Sequence, residues 1–198
     1  VPYPASCIMH KPRLGQTLPV YVSTPDRYEE FSNVVPMVRL SDVEIETYLT
    51  RNIQIIGRLV QEHGIKSILA NHAVLMSVVA ERVSASTNVP FAIMPHGSAI
   101  EYAVKRDQRY RTLATSAFDR AARIFVHGDE MRQRVIETFP NLNGIGEKTG
   151  FLRLGVDTGL FEPINRKGRA KNISELYANL AEWKCEQPPN VSSRQNAR

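Results

Sequence analysis

Three histidines stand where short apolar runs give way to polar residues: "ANHA" at 70–73, "MPHGS" at 94–98 and "FVHGDE" at 125–130. An imidazole can donate a hydrogen bond, accept one, or take up a proton near neutral pH. His96 is followed by Gly97 and His127 by Gly128, and a residue without a Cβ lets a sugar or a phosphate approach the backbone. Asn71 and Ser98 add an amide and a hydroxyl beside them. A plainer account competes at each position. Loops after strands are polar, and Asn71, Ser98 and Asp129 are residue types that cap helices while glycine makes turns. His127, Gly128 and Asp129 look most like simple capping ahead of Glu130. A zinc site built from the three histidines requires ligands that converge from three separate strands.

The elements that position these residues can be read from the apolar pattern. The runs "IKSILA", "PFAIM", "RIFV" and "GFLRL" centre on Leu69, Ile93, Phe125 and Leu152, at separations of 24, 32 and 27 residues. Helix-compatible segments fill the gaps: 74–84, 99–122 (broken near Asp107) and 130–139. A strand, a crossover helix and a second strand take about 30 residues, and parallel strands need such crossovers. Runs that are apolar throughout, rather than alternating, predict a sheet covered on both faces. The fold class is therefore α/β, a Rossmann-like parallel sheet flanked by helices and wound right-handed. In such sheets ligands bind outside the carboxyl ends of the strands, where the three histidines fall.

Ahead of this region, "LPVYVST" at 18–24 has strand character, and the stretch up to Met37 reads as irregular. At Ser41 the sequence "SDVE" forms a capping box. Behind it Ile45, Leu49, Ile53 or Ile56, and Val60 recur at helical spacing up to Gly64, the expected C′ residue. After Leu154 there is no further strand–helix–strand set. A basic stretch leads into a helix from Ile173 to Trp183, and the last dozen residues have the composition of a disordered end. The domain reading is a Rossmann-like unit over 1–163 and a linker, helix and tail over 164–198.

Composition narrows the function classes. The chain has 198 residues, 42% hydrophobic and 23% charged, which suits a globular domain. No apolar run approaches the roughly 20 residues needed to cross a bilayer. Cys7 and Cys185, the only cysteines, form no disulfide framework, so a cytoplasmic location is expected. The net charge of +5 is concentrated from Pro163 onward, where seven Lys/Arg face three Asp/Glu. A basic terminal tail without interleaved aromatics is not the footprint of a nucleic-acid face. The segment "GIGEKTG" at 144–150 mimics a dinucleotide glycine pattern, but it lacks a preceding strand and a following helix; Glu147 also stands where a P-loop has glycine.

The succession "ANHAVLMSVVAERVS", "NVPFAIMPHGSAIEYAVKRDQRY", "AFDRAARIFVHGDEMRQRV" and "LRLGVDTGLFEP" resembles the N-terminal domain of retaining glycosyltransferases of family 4, which have the GT-B fold. The resemblance covers roughly 18–163. It implies that His96 lies in the cleft near the anomeric carbon as the catalytic residue, with Gly97 making room. Asn71, His72, Ser98 and His127 would line the acceptor side, and Asp157 and Phe161 would form the interdomain hinge. It also implies no metal and no cofactor; the nucleotide-sugar donor is a substrate held by a second domain. The partners it implies are a sugar or glycolipid-like acceptor and that second domain.

Departures from the family pattern are specific. The family's glycine-rich loop after its first strand has no counterpart in "VPYPASCIMHKPRLGQT", and no two glutamates have seven residues between them. The resemblance therefore implies a truncated acceptor-side domain, inactive by itself, whose uncovered face favours self-association. Two other readings stay open: a non-catalytic α/β binding module, and part of another GT-B-like enzyme such as a sugar-nucleotide epimerase.

Overall fold

The computed structural model describes residues 20–22, 34–152, 155, 158–159 and 164–185. The chain divides into two compact units, Val1–Arg153 and Leu154–Arg198. In the first, β1 (Val20–Val22) pairs in parallel with β2 (Val34–Pro36). The strand expected over 18–24 is present in its central part. β2 emerges from a stretch that sequence reads as irregular, because three residues are too few to show a period.

Helix α1 (Asp42–His63) starts and stops where its signals predict. Ser41 Oγ accepts from the Glu44 amide at 3.3 Å while Glu44 Oε2 accepts from the Ser41 amide at 2.8 Å. Gly64, at φ 57°, ends it in the left-handed region, which costs glycine nothing. Its buried stripe is Ile45, Tyr48, Leu49, Asn52, Ile56 and Val60, so Ile56 rather than Ile53 carries the third apolar turn.

The second sheet is parallel and four-stranded, in the order β3 (Ile68–Asn71), β4 (Phe91–Met94), β5 (Arg123–Val126) and β6 (Thr149–Phe151). The fold is thus the expected mixed α/β one, a Rossmann-like parallel sheet with helical crossovers. These crossovers are α2 (Met76–Thr87), a helical turn α3 (Gly97–Ala99) that runs into α4 (Gln108–Arg120), and α5 (Asp129–Thr138) with the one-turn α6 (Ile145–Lys148). Between α3 and α4 the helix widens to a π-turn over Ile100–Val104. The break falls where expected: Asp107 caps α4 by accepting from the Arg109 amide at 2.9 Å. "GIGEKTG" holds α6 and then β6, the reverse of the dinucleotide motif.

The strands run in step, with Ala70, Ile93, Ile124 and Thr149 side by side. All four are buried on one face. The adjoining row, Leu69, Ala92 and Arg123, occupies the other face, where Leu69 is 51% exposed and Arg123 is exposed. The expectation of two equally covered faces is thus met on one side only. The strand order itself is the reason. Right-handed crossovers that advance along the chain in one direction all lie on the same face.

The second unit contains α7 (Arg166–Cys185), which begins about two turns earlier than the sequence suggests. Asn165 Oδ1 accepts from the Gly168 amide at 2.8 Å and closes its first turn. Among the described residues no helix is long and apolar enough to cross a membrane.

Candidate functional site

β3, β4 and β5 end together along one sheet edge, and each releases a histidine there. His72 follows β3 directly. Its amide donates to the Met94 carbonyl at 3.0 Å, which continues the β3–β4 ladder by one bond and pins the backbone while the side chain turns outward. His96 follows β4 after the buried Pro95, in extended backbone at φ −109°, ψ 143°. The centroids of the His72 and His96 rings lie 4.5 Å apart, with the planes at 40°. His127, beyond β5, has its ring 6.5 Å from that of His96. The three imidazoles therefore form a row along the rim, with His96 in the middle.

Simple capping does not account for the row. The N-cap positions of α2, α3 and α5 are Leu75, His96 and Gly128, and none makes a side-chain cap bond. Asn71 is the exposed last residue of β3, Ser98 lies within the α3 turn, and Asp129 is the first residue of α5 rather than its cap. Asp129 and Glu130 still suit the positive end of that helix dipole.

The electrostatics follow from the crowding. Burial against the surrounding protein, and then the neighbouring His96, hold the His72 pKa below its ordinary 6.5. Burial, and then His127, act on His96 in the same direction. Both rings are therefore neutral at pH 7, each with one N–H to donate and one lone pair to offer. His127 Nδ1 lies 3.2 Å from the Leu152 carbonyl. A carbonyl only accepts, so Nδ1 of His127 is the donor in this contact.

Gly97 abuts side chains of α5. A Cβ there would lie 2.8 Å from Nη1 of Arg134 and 3.4 Å from Cε of Met131. The tips of these two long side chains occupy the space beside Gly97. Arg134 is the residue at this edge that the sequence reading missed. Its guanidinium bonds Glu130 on the same helix and lies 3.6 Å from Glu101 of the π-turn. The spacing of Glu130 and Arg134 signals a pair along the helix, but nothing local links Arg134 to a glycine 37 positions earlier. With two carboxylates around it, Arg134 brings no surplus positive charge to the rim. The expected hinge residues, Asp157 and Phe161, lie outside the described residues.

Away from the rim, a surface groove of about 560 Å³ lies along α1, lined by Asp42, Val43, Glu46, Thr47, Thr50 and Arg51. Among the described residues no group of three His, Cys, Asp or Glu side chains is arranged to hold a metal ion. What the row can do is hydrogen-bond a hydroxyl-rich ligand, with His72 and His96 each offering a donor and an acceptor. Compared with known proteins, the sequence matches no family model and no curated protein.

Proposed function

We propose that this chain supplies the acceptor-side wall of a retaining hexosyltransferase site, in which a hexose passes from a nucleotide-sugar to a sugar or glycolipid-like acceptor. The observation that carries the reading is the row of His72, His96 and His127 along the carboxyl edge of a parallel sheet. His96, central and neutral, hydrogen-bonds the transferred sugar beside its anomeric carbon. His72 on one side and His127 on the other, together with Asn71 and Ser98, orient acceptor hydroxyls. Imidazoles without net charge favour sugar hydroxyls over phosphate. Donor phosphates belong to a second Rossmann-like domain in the family that the sequence resembles, and the chain has no part in holding them.

The test is binding of methyl hexosides and of a nucleotide-sugar to the 198-residue chain, followed by ring proton shifts of the histidines. Hexosides should move His72 and His96 together, and His96→Ala should abolish the response without loss of fold. A chain that binds a protein partner tightly, with no effect of His96→Ala and no hexoside response, is a non-catalytic module and ends the transferase reading.

A further inference from the structure

The connection from β3 to α2 contains two non-glycine residues in the left-handed half of φ space. His72 sits at φ 72° and Leu75 at φ 63°, ψ −70°. The Met76 amide donates to the Val74 carbonyl at 3.0 Å, which closes a three-residue γ-turn of the rarer, strained sense around Leu75. A residue held in such a region is strained and stays there only where its surroundings over-determine it.

The surroundings do so here. Ala73, Val74 and Leu75 are 0%, 1% and 2% exposed. Ser77 Oγ reaches back to the Ala73 carbonyl at 2.7 Å, and the His72 amide is tied to β4. Burying three consecutive residues in one short connection demands a reversal tighter than an ordinary turn makes. The reversal leaves His72 outside the packed core, with its ring against that of His96.

We propose that Leu75 is a positioning residue, whose γ-turn holds His72 against His96 at the sheet edge. What the two histidines then bind rests on the hexosyltransferase reading; the positioning does not.

Three substitutions separate the turn from the packing. Leu75→Ile conserves volume, but its β-branch conflicts with positive φ. Leu75→Met conserves apolar bulk without that branch, and packed cores tolerate such volume-conserving swaps best. Leu75→Gly removes the packing but accepts the φ and ψ freely. The readout is the nuclear Overhauser cross-peak between the His72 and His96 rings in the isotope-labelled chain. The cross-peak should persist in Leu75→Met, persist in Leu75→Gly despite lower stability, and vanish in Leu75→Ile. A folded Leu75→Ile that keeps it at full strength overturns the proposal, as does a folded Leu75→Gly or Leu75→Met that loses it. Should Leu75→Ile not fold, the Met and Gly variants still decide. Methyl hexoside binding is measured alongside. A wild-type chain with the cross-peak and no hexoside binding removes the sugar reading and leaves Leu75's role standing.

Discussion

Substituting glycine for His72 should make the fold more stable than substituting alanine. Both changes delete the imidazole and its contact with His96, so the difference between them isolates the backbone at φ 72°. A left-handed residue with a Cβ costs about 1–2 kcal/mol. Glycine escapes this but forfeits roughly 0.5–1 kcal/mol through the greater freedom of its unfolded chain. The net advantage of His72→Gly over His72→Ala is then about 0.5–1 kcal/mol, opposite in sign to the usual ranking of the two residues. His72→Asn should lie between them, since asparagine tolerates this region better than alanine. With a urea slope of about 2 kcal/mol/M, the midpoints should differ by roughly 0.2–0.5 M at constant slope. Unfolding followed by circular dichroism measures it. A His72→Gly chain that unfolds at lower urea than His72→Ala would refute the idea that strain is stored at this residue. If the proposed function holds, the stabilised His72→Gly chain also loses hexoside binding.

The pH dependence has a definite sign. The folded pKa values of His72 and His96 lie below the ordinary 6.5, so the folded state resists protonation at both rings; their contribution is complete above about pH 6.5 and is lost as pH falls through the folded midpoints. Stability should therefore decline on acidification, less steeply in the His72→Ala/His96→Ala double variant, and His96→Ala alone should raise the His72 midpoint in a proton NMR titration. Equal acid slopes in the double variant and the parent would show that the pair is not the cause. At the start of α1, Ser41→Ala removes the capping hydroxyl and should cost about 1 kcal/mol, read as a lower urea midpoint; an unchanged midpoint would mean that the capping box is not what holds that end.

Much of the frame was legible in residue order because its causes are local. Ser41, Glu44 and Gly64 mark α1, Asp107 divides the long crossover, and the regular return of apolar runs requires parallel strands with helices between them. Since those strands run in step, their next residues had to share an edge. The placing of His72, His96 and His127 thus follows from periodicity alone. The failures are equally physical. Capping at Asn71, Ser98 and Asp129 is what those residue types do in isolation, yet the positions that precede the helices are Leu75, His96 and Gly128, and before α2 the buried Ala73, Val74 and Leu75 set the turn.

Long-range packing decided the rest. Arg109 ties Asp107 to Asp42 and to the Leu40 carbonyl, 67 and 69 positions away. Tyr110 donates to the Met37 carbonyl across 73 positions, and Gly97 makes room for Arg134. The γ-turn at Leu75 belongs to the same class. Leucine has no preference for such a conformation, and only the simultaneous burial of Ala73, Val74 and Leu75 makes it the lower-energy choice. Amino-acid order by itself determined which side chains reach the sheet edge. Tertiary structure decided how they face one another there, because backbone conformations that local energetics disfavour survive only under the pressure of contacts between distant residues.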